Sequence, residues 1–419
     1  MVDIAKLNNG ITLITDTIKE VESVSIKIVV NTGARNETKD NTGISHFIEH
    51  MAFKGTEKRT AKQISFDLEN IGASFNAYTS KESTCYYAKV LKEYTEQAFE
   101  ILVDMIENSI FSEEEVEKER DVILQELAMT NDTPDDVVFD YFTETAFPNQ
   151  QVGRTILGPA ENIKKFQKDD FVKYIKKNYT SENIVVSICG NIEPDQAKDI
   201  GNKYFKKIIS GEKREVEKGE YKGGYFKKVK KDLEQFQCIV GFNGISYHDE
   251  YFFDLSVGNF IFGGSMSSRL FQEIREKQGL CYTVFSGNTA LSDCGTFKIY
   301  VGTEPNKVNQ AIDGIITETK RFIDDGITDE ELQRAKVKIK SSVLMANESV
   351  SARASAYAND YIKYGKIYTL QEISDLIDKV DKKRIKEVFE KMYNSPVTVA
   401  LYGSNDNVYD YETIKNKVK

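Results

Sequence analysis

The sequence of 419 residues has no tryptophan, only six prolines and only five cysteines. The cysteines never form a C-x-x-C pair, which argues against a zinc ribbon or a disulfide framework and predicts buried, reduced thiols. No apolar run approaches the ~20 residues that a membrane-spanning helix needs. The N-terminus lacks the basic and apolar segments of a signal peptide and the character of a transit peptide, so we expect a cytoplasmic protein without a membrane anchor.

Basic residues are also in short supply, with 56 lysines and arginines against 66 aspartates and glutamates. The resulting net charge of -10 argues against a nucleic-acid binder, because phosphate requires a cationic surface. Cationic partners suit such a surface better. The hydrophobic content of 40% is that of a globular protein, and the length suggests two domains.

Histidine is scarce as well, yet two of the three histidines stand four residues apart, as His46 and His50, with Glu49 directly before the second. On a helix these two positions share one face, so both imidazoles can bind one metal ion. Glu49 lies close enough to this face to act on a water molecule at the metal without ligating it. The spacing is the reversed zinc-hydrolase motif H-x-x-E-H. The alternative is a coincidence of three helical residues, which a chain so poor in histidine makes the weaker explanation.

The second half of the chain repeats the plan of the first. A capping box begins a helix at Ser112 and again at Thr328, which is 328 minus 112, or 216 residues, later. A buried strand at 184–189 recurs at 397–402. Between the halves, residues 210–224 are rich in Lys, Glu and Gly, which is typical of a solvated linker.

The repeat predicts two homologous lobes, 1–212 and 221–419. Short alternating strands mix with long amphipathic helices in each lobe, and Asn8-Asn9-Gly10 is a hairpin signal. We therefore predict an α+β fold in which each lobe is a mainly antiparallel sheet with helices packed on one face.

A zinc hydrolase usually needs a third protein ligand. The helix after Ser112 carries Glu119 and Glu126, which are seven residues apart and so lie on one face. At the 216-residue offset these positions are Ala335 and Ser342. The fold of the second half thus does not need carboxylates at these positions, whereas the half that holds the histidines has them.

The segments Gly43–Thr56 (GISHFIEHMAFKGT) and Glu119–Glu126 (ERDVILQE) resemble the pitrilysin/insulinase family of zinc peptidases, and within it the processing-peptidase branch. The resemblance covers essentially the whole chain. It implies a zinc-dependent endopeptidase that binds one zinc ion per chain. The third ligand of the family follows the second histidine by about 76 residues, and here 126 minus 50 is 76.

By this resemblance, zinc is held by His46, His50 and Glu126. Glu49 is the catalytic base, and Glu119 supports the site without ligating the metal. An Arg/Tyr pair of the family, which contacts the substrate carbonyl and the developing oxyanion, matches the catalytic residues Arg275 and Tyr282. A surface arginine and a core tyrosine are the alternative for this last pair.

Two further segments resemble substrate-binding parts of the family. One is the edge strand that pairs with substrate backbone, for which an interior strand is the alternative; it comprises Asn76, Ala77, Tyr78 and Thr79. The other is a carboxylate pair that holds an arginine upstream of the cleaved bond, matched by Asp136 and Asp140. A merely solvated acidic face is the alternative there.

The expected substrates are unfolded peptides or presequence-like segments with arginine near the cleavage point. One chain carries both the zinc motif and the Arg/Tyr pair, so we expect a homodimer in which Arg275 and Tyr282 act in trans on the partner's zinc site. A non-catalytic scaffold or assembly subunit of the same fold is the main alternative, although such subunits typically lack motif residues. A zinc hydrolase acting on a non-peptide bond is the third.

Overall fold

The computed structural model describes residues 2–419. The chain forms two compact units, and each combines three segments of the sequence. Unit 1 comprises Met1–Ala128, Arg154–Glu217 and Met345–Tyr368. Unit 2 comprises Met129–Gly153, Lys218–Leu344 and Thr369–Lys419.

Each unit contains one mixed sheet. The strands of unit 1 are β1 (Val2–Lys6), β2 (Thr12–Thr17), β3 (Ser23–Val30), β4 (Ser74–Thr79), β5 (Thr84–Leu91) and β6 (Ile184–Gly190). Those of unit 2 are β7 (Gly224–Val229), β8 (Phe236–Asn243), β9 (Cys281–Ala290), β10 (Gly295–Thr303) and β11 (Thr398–Gly403). Within residues 2–419 the strand orders are β1-β2-β6-β3-β5-β4 and β7-β11-β8-β10-β9. All neighbours are antiparallel except the pairs β2–β6 and β7–β11.

The helices lie between and after these strands. The N-terminal half contains α1 (Ile44–Met51), α2 (Ala61–Asn70), α3 (Thr95–Glu107), α4 (Glu113–Asp132), α5 (Pro134–Ala146), α6 (Ala160–Ile163), α7 (Lys168–Asn178) and α8 (Pro194–Tyr204). The C-terminal half contains α9 (Phe252–Phe262), α10 (Val308–Asp324), α11 (Asp329–Ala346), α12 (Val350–Tyr364), α13 (Leu370–Lys379), α14 (Lys382–Tyr393) and α15 (Tyr411–Val418). This α+β architecture of two similar units confirms the predicted fold class.

Side-chain alternation in the central strands explains where each core lies. Val24, Ile26 and Ile28 of β3 point to one face of the sheet, which the helices of unit 1 cover. Phe236 and Val240 of β8 do the same in unit 2. The predicted hairpin joins β1 to β2, with Gly10 at a φ of +95°, a conformation that glycine adopts without strain.

The second face of each sheet carries one helix from the other half of the sequence. In unit 1, Ala358 of α12 packs against Val29 and Val185. In unit 2, Phe142 of α5 packs against Ile239. The compact units therefore differ from the predicted consecutive lobes 1–212 and 221–419 by the exchange of these two helices, because an apolar second face must be covered. The lobe bounds themselves stay a prediction.

Three features bear on the predictions from composition. Residues 210–223 contain no helix or strand and are largely exposed, as expected of a linker. In the part of the chain that the structure describes, no helix combines the length and apolar character needed to cross a bilayer. Within residues 2–419 the cysteines form no disulfide; Cys281 is half-buried, and the buried ones are Cys85, Cys189, Cys238 and Cys294.

Candidate metal centre and active site

Helix α1 carries both histidines and the glutamate between them. Phe47 and Ile48 anchor this helix in the core of unit 1. His46 is buried, whereas Glu49 and His50 are half-buried. Because residues four apart lie one helical turn apart, the two imidazole rings lie side by side, with centroids separated by 4.5 Å.

Glu126 of α4 brings a carboxylate oxygen to both rings. Its Oε2 lies 3.7 Å from Nε2 of His46 and 3.5 Å from Nε2 of His50. One ligand atom from each residue falls within 4.8 Å of the others. These separations exceed hydrogen-bond length and approach the roughly 3.3 Å between two ligands of a tetrahedral zinc ion. The three residues therefore fit a zinc ion, with two nitrogens and one oxygen as donors.

Glu119 lies behind this group, as expected of a residue seven positions before Glu126. It is buried, and its Oε1 lies 2.7 Å from Nδ1 of His50. Its other oxygen forms an ion pair with Nζ of Lys54 at 2.6 Å. A carboxylate on the second nitrogen of an imidazole fixes the orientation of the ring and its tautomer. Glu119 thus directs Nε2 of His50 toward Glu126.

Burial and charge set the protonation states of these groups. Burial lowers the pKa of His46 to about 4, and the charge of His50 adds to this effect. Burial also acts to lower the pKa of His50, but the hydrogen bond and charge of Glu119 outweigh it, so that this pKa is raised. Burial raises the pKa of Glu49 against the opposing hydrogen bond from Thr79. A neutral imidazole allows His46 to act as a metal ligand, and a raised pKa suits Glu49 to take and release a proton.

Glu49 is held by the last residue of β4. The hydroxyl of Thr79 donates to Oε2 of Glu49 at 2.6 Å. Within residues 2–419, β4 pairs only with β5, so its other edge is open. The four residues that we expect to bind substrate backbone all lie on this edge strand: Asn76, Ala77, Tyr78 and Thr79.

The Arg/Tyr pair belongs to unit 2. Arg275 lies in a π-helix, Phe271–Lys277, and Tyr282 lies in β9. The guanidinium of Arg275 stacks over the ring of Tyr282 at 4.9 Å, and the tyrosine side chain is 76% exposed. The structure therefore brings the two predicted residues together on one surface.

The predicted carboxylate pair lies on α5 in unit 2. Asp136 is exposed in the first turn, and Asp140 is half-buried one turn later. The two side chains share one face of the helix, as the spacing predicts. Asp140 also takes part in interactions within the fold.

Two contacts of the site were not foreseen from the sequence. Lys54 lies in the turn after α1, three residues beyond Met51, so no helical spacing places it beside Glu119. Thr79 was expected to bind substrate only, and no sequence pattern links its hydroxyl to Glu49, which is 30 residues earlier.

Comparisons with known proteins agree with this site. Residues 13–160 match the family model described as insulinase, peptidase family M16. Residues 165–338 match the model described as the peptidase M16 inactive domain. The second description fits a half of the chain in which Ala335 and Ser342 replace the two glutamates.

Several relatives match along nearly their whole length. The chain is 40% identical to a zinc protease of Rickettsia felis over 405 residues, covering 96% of this chain and 98% of that protein. It is 36% identical to the zinc protease YmxG of Bacillus subtilis, with 96% and 98% covered. It is 30% identical to the mitochondrial-processing peptidase subunit beta of Neurospora crassa, with 98% and 89% covered.

The fold recurs among solved structures. A protease from Helicobacter pylori superposes with a TM-score of 0.89 at 20% identity, covering 96% of this chain and 99% of that chain. The family models, the relatives and the group formed by His46, His50 and Glu126 agree with one another. This chain belongs to the insulinase family, peptidase family M16, and is a zinc metallopeptidase.

Proposed function

We propose that the protein is an endopeptidase that binds unfolded peptides or presequence-like segments as an added strand on β4. The observation that supports this proposal best is the hydrogen bond from Thr79, at the end of an open sheet edge, to Glu49, the residue that we propose as the catalytic base. Backbone pairing along an edge strand binds extended peptide without demanding particular side chains. A peptide on this edge would thus pass directly in front of Glu49.

The mechanism follows from the contacts of the site. Zinc, when held by His46, His50 and Glu126, would supply a Lewis acid for the scissile carbonyl. Glu49 takes a proton from the attacking water and returns it to the leaving amine, for which its raised pKa is suited. Thr79 holds the carboxylate of Glu49 in position.

The developing oxyanion needs donors of its own. We assign this role to Arg275 and Tyr282, whose stacked side chains offer a guanidinium and a phenol on one exposed surface. Such donors contribute about 3 kcal/mol each in other enzymes. Because one chain carries this pair and the zinc motif, we propose a homodimer in which the pair acts on the partner's zinc site. A cytoplasmic location stays a prediction.

Removing the hydroxyl of Thr79 tests how Glu49 is held. Thr79→Val keeps the shape of the side chain and is expected to lower kcat about tenfold, the equivalent of one hydrogen bond to a charged group, with little change in KM. Steady-state kinetics on a quenched fluorescent peptide measure both constants. The matched control is Thr84→Val on β5, whose hydroxyl donates to the backbone oxygen of Thr32 instead. An equal fall in kcat in the control would show that Thr79 acts through general packing.

Arginine preference is the finer part of the proposal. The carboxylates of Asp136 and Asp140 lie one turn apart on α5, and such a pair suits a guanidinium. Mass-spectrometric mapping of cleavage sites in a random peptide mixture, with and without chelator, is expected to show metal-dependent cuts enriched near arginine. Asp136→Asn combined with Asp140→Asn should reduce this enrichment and leave the rate on arginine-free peptides unchanged. Equal enrichment in the variant would remove these residues from substrate selection.

A scaffold or assembly subunit was the alternative from the sequence, and it is not favoured. The residues that such subunits tend to lose are present, and His46, His50 and Glu126 are drawn together. Retention of all motif residues in a non-catalytic subunit would need a separate reason.

A further inference from the structure

The segment 33–43 between β3 and α1 contacts two elements of the active site. The backbone N–H of Ala34 donates to Ser80 O at 3.1 Å, and that of Arg35 donates to Lys81 O at 2.7 Å. These acceptors belong to the turn directly after Thr79. The approach is close at Gly33, where a Cβ would lie 2.3 Å from Ser80 O. The start of this segment is thus fixed to the strand whose last residue holds Glu49.

The other end of the segment is fixed to α1 by Glu37. Its Oε2 accepts a hydrogen bond from the backbone N–H of Gly43 at 2.8 Å, and its Oε1 accepts one from Ser45 at 2.8 Å. The first N–H groups of a helix have no partner within it, so this carboxylate satisfies groups that would otherwise be unpaired. The residue after Ser45 is His46. Both carboxylate oxygens therefore hold the turn from which the first histidine projects.

Capping a helix with Glu37 has a free-energy cost, because the carboxylate must be buried. Its side chain is fully buried, and burial raises its pKa to about 7 in spite of the backbone hydrogen bonds. A short polar side chain such as serine or asparagine satisfies the same N–H groups without burying a carboxylate. The longer glutamate spans the distance from the segment to α1, which a short cap would leave open. The glutamate therefore fixes the spacing between the segment 33–43 and α1.

We propose that Glu37 is a positioning residue for the metal centre. Its carboxylate sets the first turn of α1 against the segment 33–43, and the same segment sets the turn after Thr79. The spacing between the histidines on α1 and the edge strand is then fixed from one side. This inference rests on the assignment of His46, His50 and Glu126 as zinc ligands.

The test is zinc affinity in Glu37→Gln, measured on the full chain by competition with a chromophoric chelator. A glutamine keeps the shape but offers only one oxygen, so one of the two N–H groups loses its acceptor. We expect zinc affinity to fall about 10- to 100-fold, as for other residues that orient metal ligands. kcat should fall while KM for peptide stays within about twofold, because β4 itself is unchanged. The matched control is Glu318→Gln, which removes a buried carboxylate from unit 2 and should bind zinc like the wild type.

Each other outcome is informative. Zinc affinity within twofold of wild type in Glu37→Gln would overturn the inference. Glu37→Asp keeps the charge but is one methylene shorter, so an affinity between those of wild type and Glu37→Gln is expected. If both variants fail to fold without zinc while the Glu318→Gln control folds, Glu37 is a requirement of the whole unit and the inference fails. A wild-type chain that binds no zinc would instead refute the proposed function.

Discussion

Replacing Glu49 by glutamine is expected to lower kcat for peptide cleavage by about 10²- to 10⁴-fold, the usual contribution of a positioned general base. The amide cannot accept the proton of the attacking water. It can still accept the hydrogen bond from Thr79, so the local structure should persist. Zinc content measured by elemental analysis is expected to equal that of the wild type, because the proposed ligands do not include Glu49.

The control for this variant is Glu69→Gln, an exposed glutamate on α2. It should retain full activity and zinc. Full proteolysis by Glu49→Gln would refute the assignment of the base. Loss of zinc together with activity would instead mean that Glu49 ligates the metal.

The same variant also tests the proposed assembly. Mixing Glu49→Gln chains with Tyr282→Phe chains is expected to restore part of the activity, because one of the two sites in a mixed dimer then has both an intact base and an intact tyrosine. Each variant alone should stay inactive. If subunit exchange is verified and no activity is recovered, a self-contained chain is favoured.

Replacing Glu126 by glutamine is expected to remove zinc at micromolar concentrations and to abolish activity. The neutral amide is a poor zinc ligand, and the two imidazoles alone bind the ion only weakly. We expect affinity to fall by more than the roughly 100-fold that supporting residues cost at most. Equilibrium dialysis against zinc buffers measures the loss, and circular dichroism checks the fold.

The informative comparison is with Glu119→Gln. Glu119 contacts His50 and Lys54 and is not one of the proposed ligands, so its loss should cost less affinity than that of Glu126. The reverse order would exchange the roles of the two glutamates. Unaltered zinc binding in Glu126→Gln would remove it from the ligand set.

Much of the fold could be predicted from local patterns. The strands at 184–189 and 397–402, the hairpin at Gly10 and the helix after Ser112 all follow from short-range signals, and the structure has these elements where they were expected. The spacing of His46 and His50 likewise sets their common face through helix geometry alone. The approach of Glu126 to that face required the family resemblance, since nothing local ties α4 to α1.

The parts that could not be predicted depend on contacts distant in sequence. Helices α5 and α12 pack on sheets formed mainly by the other half of the chain. Their amphipathic pattern does not indicate which sheet each helix packs against. Glutamate and threonine are common in loops and strands, so nothing in the sequence singles out Glu37 and Thr79 for the hydrogen bonds that they form. The π-helix at Arg275 also has no periodic signal of its own.

X-ray absorption at the zinc edge, on protein loaded with one equivalent of zinc, tests the central claim most directly. The account predicts a first shell of nitrogen and oxygen near 2.0–2.1 Å with multiple-scattering features of two imidazoles. The imidazole contribution to the spectrum should fall from two rings to one in His46→Ala and likewise in His50→Ala. A shell that contains sulfur, or a spectrum that neither substitution changes, would contradict it.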